Sequence, residues 1–333
     1  MKRLRGLAVL LLVGGLVIAL GVGGGLLALS PERTIYVVVH GGIADPFWKV
    51  VEKGVRDAAA SPTCSGIDVI YTGPEVFSLE EFLADIDAAL AALNPETDGL
   101  VCTLTAPEAM DEPLRAAIAE GLPIIAINAP DLREPPETRI PVLTYIGEDS
   151  YFIGVTAARE TLKRFTPKRA AFLNHHPGAR HIYLRGKGYC DVMKEQGIFC
   201  EQVDITEDPI KGAEITVAYL KANPDTDAIF SSNTLRTETI IPRLEDEGYE
   251  VGVDVKIAQM DMSPKVLDYI LEGKIMFTMD QQQYLQGFWG TEFMCLHLKY
   301  AFTPPPPPVS TGPAVITAEV IPMLEELVAE GYR

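Results

Sequence analysis

The chain has 333 residues, of which 47% are hydrophobic and 22% are charged, and its formal net charge is −18. This length allows a large buried core and favours two domains over one. So large an excess of acidic residues argues against binding to a nucleic-acid backbone, which requires clustered Lys and Arg.

The first thirty residues differ in character from the rest. Lys2, Arg3 and Arg5 precede a run over 7–29 that contains no charged residue. Basic residues followed by an apolar run are typical of an export signal or a signal anchor, and about 20 apolar residues can span a bilayer as a helix. We expect 1–30 to be a signal peptide or a membrane anchor, with its cleavage left open. The remainder should then lie outside the cytoplasm.

Short β-branched runs alternate with helical patterns from Thr34 onward. The predicted strands in this first half are 34–39, 67–71, 99–104 and 123–127, and the predicted helices are 46–60, 79–93 and 107–120. The apolar runs are continuous rather than alternating, as buried parallel strands require. This order predicts a doubly wound parallel sheet.

The same alternation restarts after the proline-rich loop 134–141. The predicted strands are 142–146, 169–173, 198–204, 227–231, 253–260 and 275–279, and the predicted helices include 150–164, 211–222 and 264–272. Two such series predict an α/β fold of two similar doubly wound parallel-sheet lobes with a cleft between them. Five consecutive prolines, 304–308, predict a stiff, exposed connection.

The five cysteines are scattered: Cys64, Cys102, Cys190, Cys200 and Cys295. Some could pair in an exported protein, and Cys190 with Cys200 is the closest pair in sequence. Their spacing fits no zinc-binding pattern. We expect most of them to be small buried apolar residues.

Polar and aromatic side chains follow the predicted strands. In an open parallel sheet, ligands bind at the carboxyl ends of the strands. The residues at these ends are Asp45, Phe47, Trp48, Asn128, Asn233, Asp261 and Gln281. Aromatic faces can cover the apolar face of a sugar ring, and planar polar groups can hydrogen-bond neighbouring hydroxyls. Each residue alone could instead be a helix cap or part of the core, but their agreement favours a carbohydrate site.

Several of these segments resemble the type I periplasmic sugar-binding proteins of ABC transporters, from about residue 34 to the C-terminus. Segment 45–48, Asp-Pro-Phe-Trp, is similar to a family motif whose aromatic residues stack on the sugar. Segment 146–149, Ile-Gly-Glu-Asp, resembles the turn where the family's chain enters its second lobe. Segment 185–189, Arg-Gly-Lys-Gly-Tyr, resembles a motif whose Arg binds ligand, and this implies a binding role for Arg185.

Three later positions also match the family, and one pair of residues differs from it. Asn233 and Asp261 match ligand-binding positions after two strands, and Gln281 matches a ligand-binding Gln in the hinge. Pentose binders of the family have an Asp-Arg pair after the fourth strand, whereas this chain has Asn128 followed by Ala129. We therefore expect a sugar or sugar-like ligand, but not ribose itself.

The resemblance implies a binding protein that closes on its ligand and delivers it to an ABC transporter permease. It implies lobes of 31–146 with about 282–308, and of 147–281 with about 309–333. No catalytic residue, cofactor, metal ion or nucleic-acid partner is expected, and the protein is expected to be a monomer.

Other classes of protein remain as alternatives. A membrane-anchored ligand-sensing subunit would keep the segment 1–30. An enzyme acting on a small polar substrate could use His175, His176, Asp149 and Asp280 as acid–base groups or metal ligands. The sequence contains no nucleophile elbow, phosphate-binding loop or metal-ligand helix motif. A sugar-responsive transcription regulator would need a helix-turn-helix where this chain has its apolar segment.

Overall fold

The computed structural model describes residues 33–43 and 45–333. The predicted export or anchor segment lies outside the described residues. The strands are β1 Arg33–Val38, β2 Ile67–Thr72, β3 Gly99–Cys102, β4 Ile124–Ile127, β5 Thr144–Gly147, β6 Arg169–Asn174, β7 Phe199–Asp204, β8 Thr226–Ser231, β9 Lys256–Met260, β10 Ile275–Asp280, β11 Val309–Ser310 and β12 Ala314–Ile316. The α-helices are α1 Pro46–Ala59, α2 Leu79–Ala92, α3 Pro107–Ala119, α4 Ser150–Arg164, α5 Arg180–Glu195, α6 Pro209–Ala222, α7 Thr234–Asp246, α8 Pro264–Leu271, α9 Gln283–Tyr300 and α10 Ile321–Ala329.

The strands form two six-stranded sheets. The order in the first sheet is β11-β5-β4-β3-β1-β2, with every pairing parallel. The order in the second sheet is β12-β10-β9-β8-β6-β7, parallel except for the antiparallel edge strand β12. The predicted pair of doubly wound lobes is therefore confirmed, and each lobe is a sheet with the helices on its two faces.

Apolar clusters cover both faces of each sheet. In the first lobe, Phe82 of α2 and Leu114 of α3 pack on one face, while α1 and α9 cover the other with Val51 and Met294. In the second lobe, α4 and α5 cover one face, while α6, α7, α8 and α10 cover the other. Burial of these continuous apolar strands on both faces drives the layered arrangement.

Side-chain caps start several helices just after a strand. The caps that accept a backbone N–H of the following turn are Asp45, Ser78, Asp149, Asp208, Asn233 and Ser263. Such caps satisfy amide donors that the first helical turn leaves free. The capping role foreseen as an alternative for Asp45 and Asn233 is thus present, and it holds both side chains at the carboxyl ends of the sheets.

Within the described residues, three segments connect the lobes: 147–150, 280–283 and 310–314. We call them the crossing segments. The lobe limits drawn from the sequence stay a prediction, and strand pairing adds that Val309–Ser310 lies in the first sheet. After α10, Tyr332 packs against Tyr284 of α9, and Arg333 forms an ion pair with Asp280 at the start of the second crossing segment.

One predicted strand, 253–260, is shorter in the structure. β9 begins only at Lys256, because residues 251–255 form a turn closed by the bridge between Val251 and Val255. Gly252 has a φ of +95° in this turn, a conformation that favours glycine. The very short strands β11 and β12 show no periodicity that a sequence pattern could detect.

All five cysteines are buried, as expected, and four of them form disulfide bonds, which the sequence had left open. Cys190 of α5 is bonded to Cys200 of β7, the closest pair in sequence, and Cys64 is bonded to Cys295 across 231 residues. Cys102 is a free, buried thiol whose pKa is raised to about 12 by burial. The Cys64–Cys295 bond joins the loop after α1 to α9, so it ties together two parts of the first lobe that are distant in sequence.

No helix in the described residues, 33–43 and 45–333, is both long and apolar enough to cross a bilayer.

Candidate ligand-binding site

A cavity of about 610 Å³ lies at the carboxyl ends of strands from both sheets. All eight residues proposed from the sequence line it: Asp45, Phe47, Trp48, Asn128, Arg185, Asn233, Asp261 and Gln281. The first four come from the first lobe and the next three from the second, while Gln281 lies in the second crossing segment. The structure therefore brings the predicted set together, and the role of these residues in binding stays a prediction.

Aromatic rings form the wall of the first lobe. The Phe47 and Trp48 rings meet edge to face with centroids 4.9 Å apart, and the centroid of the His40 ring lies 5.0 Å from that of Trp48. Trp48 is only 6% exposed, whereas Phe47 is half-buried. A Cβ on Gly41 would lie 1.5 Å from the indole Nε1, so the indole requires a glycine at this position. Trp48 thus belongs both to the core and to the cavity wall.

A chain of hydrogen bonds runs from the first lobe to the second through the crossing segment. Asn128 donates from Nδ2 to Oε1 of Gln286 at 3.1 Å and lies 3.4 Å from Oε1 of Gln281. Gln281 in turn donates from Nε2 to both carboxylate oxygens of Asp261, at 3.0 and 3.1 Å. Planar amide and carboxyl groups are therefore held in fixed positions along the cavity.

Asn128 and Asp261 occupy equivalent positions at the ends of β4 and β9. Both have left-handed backbone conformations, with φ of +60° and +72°. Asn and Asp tolerate this region better than other residues that have a Cβ. Burial raises the pKa of Asp261 to about 8, against the opposing effect of the nearby Arg185. Near neutral pH the carboxyl is therefore largely protonated and can donate a hydrogen bond.

Arg185 is fixed by groups that lie around the cavity. Its Nη2 donates to Oε1 of Glu148 at 2.5 Å, and its Nη1 donates to the carbonyl oxygen of Ser232 at 3.3 Å. Ser150 donates to the same Glu148 oxygen at 2.6 Å. Glu148 belongs to the first crossing segment. The sequence singled out this segment but did not identify Glu148 as a partner of Arg185.

A second guanidinium was missed by the sequence reasoning. Arg236 of α7 lines the cavity, forms an ion pair with Glu207, and donates from Nη1 to Oδ1 of Asn233 at 3.3 Å. Glu207 also lies 2.9 Å from Nδ1 of His176. Both residues are close in sequence to predicted strand ends, which is the signal that could have identified them.

Four of the five histidines line the cavity: His40, His175, His176 and His181. Burial lowers the pKa of His40 to about 3 and holds the pKa values of His175 and His181 well below the usual value. These three rings are thus neutral near pH 7 and can act as mixed donors and acceptors.

The adjacent histidines named for the enzyme alternative contact different partners. His175 contacts the hydroxyl of Ser232 at 2.6 Å whereas His176 contacts Glu207, so the adjacent rings are directed to different partners. Across residues 33–43 and 45–333 no group of three or more His, Cys, Asp or Glu side chains is arranged to hold a metal ion. The cavity offers aromatic faces and hydrogen-bonding groups.

Comparison with known proteins places these features in context. The model of a family described as periplasmic binding protein domain matches residues 35–301. A xylose/arabinose-binding protein, XylF, from Sulfolobus acidocaldarius is 26% identical over 298 residues, which are 86% of this chain and 72% of the relative.

Two solved structures share the fold. A carbohydrate transporter from Acidothermus cellulolyticus in complex with myo-inositol superposes with a TM-score of 0.79 at 22% identity, covering 91% of this chain and 100% of that one. GanP, a glucose-galactose binding protein from Geobacillus stearothermophilus, has a TM-score of 0.75 at 23% identity and covers 87% of this chain and 99% of its own. At such identities the likeness shows the fold alone.

Proposed function

Since the chain belongs to the periplasmic binding protein family, we propose that it is an extracytoplasmic binding protein that captures a sugar or sugar-like molecule and delivers it to an ABC transporter permease. The segment 1–30 would export or anchor it. The observation that supports this most directly is the convergence of all eight predicted residues on one cavity.

The cavity has the chemistry that a polyhydroxyl ligand needs. Phe47 and Trp48 offer aromatic faces to the C–H side of a ring, while Asn128, Gln281 and Asp261 offer planar donors and acceptors to its hydroxyls. Its volume lies in the range of small-molecule pockets, which is roughly 300 to 1,000 Å³. The relatives named above bind xylose, arabinose, myo-inositol, glucose or galactose, and all of these are small polyhydroxyl molecules.

The proposed mechanism is closure of the lobes, without catalysis. Residues of the first lobe and of the second would contact opposite sides of the ligand, so the ligand would stabilise the closed form. The crossing segments would act as the hinge, with Gln281 contacting the ligand from within it. A permease would recognise the closed form.

A thermal-shift screen of the purified protein tests this proposal. The panel contains xylose, arabinose, glucose, galactose, ribose, myo-inositol, autoinducer-2 and nucleosides, with amino acids as control compounds. A ligand present at 100 times its Kd stabilises the folded state by about 2.7 kcal/mol, which raises Tm by several degrees. A shift with one or more sugars and none with amino acids is expected. A folded sample that responds to no sugar would contradict the proposal.

A further inference from the structure

Acidic side chains outnumber basic side chains in the lining of the cavity. Its lining includes five carboxylic acids: Asp45, Glu75, Glu207, Asp208 and Asp261. Within the described part of the chain, the guanidinium or ammonium groups that line it are those of Arg185 and Arg236. Each of these two already has a carboxylate of its own, Glu148 and Glu207 respectively.

The Arg185–Glu148 pair is almost completely withdrawn from water. The two side chains are 3% and 1% exposed. One oxygen of Glu148 accepts hydrogen bonds from Arg185 and Ser150, and the other has no partner. At this depth a charge is poorly screened, so Glu148 cancels most of the positive potential that Arg185 would otherwise present to a ligand.

Arg236 is compensated in the same way at another point of the cavity. Its side chain is 7% exposed, and Glu207 accepts a hydrogen bond from it and lies 2.9 Å from Nδ1 of His176. Among the described residues, none of the four other carboxyl groups that line the cavity forms a salt bridge. Asp261 is largely protonated near neutral pH, so a ligand carboxylate would meet the acidic groups of Asp45, Glu75 and Asp208 and no unpaired cation.

We propose that Glu148 and Glu207 determine the charge selectivity of the site: by occupying Arg185 and Arg236 they admit an uncharged polyhydroxyl ligand and exclude the corresponding sugar acid. This inference rests on the proposed function and specifies the class of ligand. An anion entering the wild-type cavity would lose its hydration without gaining a cation that is free of a carboxylate. With Glu148 or Glu207 made neutral, the guanidinium that has lost its carboxylate could bind a ligand carboxylate through two parallel hydrogen bonds.

The test uses sugars that differ only in charge. Glucose is paired with glucuronate and galactose with galacturonate, and calorimetric affinities are measured at pH 7 and low salt. The wild-type protein should bind a neutral member at least tenfold more tightly than its acid. Glu148→Gln and Glu207→Gln should each raise the affinity for the acid at least tenfold, and the acid should raise Tm in these variants more than in the wild type.

Two further variants separate selectivity from a general structural effect. Glu160→Gln removes another ion-paired carboxylate, which binds Lys163 and Arg164 on α4 and does not line the cavity, and it should leave both affinities unchanged. The double variant Glu207→Gln/Arg236→Gln should lose the gain for the acid that Glu207→Gln shows, because no guanidinium is left unpaired there. If Glu148→Gln fails to fold, Glu207→Gln alone decides the question.

The outcomes are distinguishable. Tight binding of glucuronate or galacturonate by the wild type would overturn the charge selectivity, as would variants that still bind the neutral sugar but gain nothing for its acid. A wild type that binds no neutral sugar in the screen would instead overturn the proposed function, and the charge selectivity would fall with it.

Discussion

Gly154 of α4 lies directly against the backbone carbonyl of Arg185 in α5. A Cβ at position 154 would be 1.9 Å from that carbonyl oxygen, and a Cβ on Gly188 would be 2.2 Å from the carbonyl oxygen of Tyr151. The two helices therefore approach closely only because both contact positions are glycine. This contact fixes the position of α5 and, with it, the position of the Arg185 guanidinium in the cavity.

We expect Gly154→Ala to weaken ligand binding and to lower Tm. The added methyl group overpacks the contact, which costs about 1 to 3 kcal/mol, and moves Arg185 away from Glu148. Gly178→Ala is a matched control in the loop before α5, since a Cβ there meets nothing within 4 Å. Melting curves and calorimetric titrations of both variants check this expectation, and normal affinity in Gly154→Ala would contradict it.

The raised pKa of Asp261 makes stability depend on pH. The folded state retains a proton up to about pH 8, whereas the unfolded chain loses it near pH 3.8. This contribution to stability is complete at pH values below the pKa of Asp261 in the unfolded chain. It is lost as the pH rises through the pKa of Asp261 in the folded protein. Between these limits the free energy of unfolding should fall by up to about 1.4 kcal/mol per pH unit relative to a variant without the group.

Asp261→Asn provides that comparison, because an amide resembles the protonated carboxyl and does not titrate. Denaturant unfolding of both proteins at pH 5, 6 and 7.5 should show that the free energy of unfolding falls more steeply with pH for the wild type than for the variant. If the free energies of unfolding of the two proteins changed with pH in parallel, the Asp261 carboxyl would be ionised throughout this range.

Much of the fold could be predicted because its signals are local. Continuous apolar runs between glycine and proline turns located ten of the strands. The strand ends then located seven of the site residues, and the family resemblance supplied Arg185. Asp45 and Asn233 illustrate how two interpretations can hold together: each caps a helix and lines the cavity. The cap places the side chain where a ligand can reach it.

The missed features depend on contacts between distant parts of the sequence. Glu148 and Arg185 are 37 residues apart, and Cys64 and Cys295 are 231 residues apart. Neither pair has a local pattern, since each forms only when separate elements pack together. The left-handed conformation of Asp261 and its raised pKa likewise arise from the assembled cavity and not from neighbouring residues.

The two disulfides should contribute unequally to stability. Constraint of the unfolded chain increases with the length of the closed loop, so the Cys64–Cys295 bond is worth up to about 5 kcal/mol and the Cys190–Cys200 bond up to about 3 kcal/mol. We expect Cys64→Ser/Cys295→Ser to lower Tm more than Cys190→Ser/Cys200→Ser. Calorimetry on the two double variants makes the comparison. A larger loss from the second pair would show that chain entropy does not govern their effect.

Arg185→Ala and Asp261→Ala should each abolish binding, and the Arg185 variant should also melt earlier than the wild type. Removing Arg185 leaves Glu148 as a buried carboxylate without its cation, which typically costs about 3 to 5 kcal/mol. The double variant Arg185→Gln/Glu148→Gln removes both charges and should recover much of this loss in Tm while still failing to bind the sugar. Binding and melting measured on the same samples therefore separate the two roles of Arg185. Retained affinity in Arg185→Ala or Asp261→Ala would refute their assignment to the site, because the guanidinium and the carboxyl would then make no contact on which capture of the ligand depends.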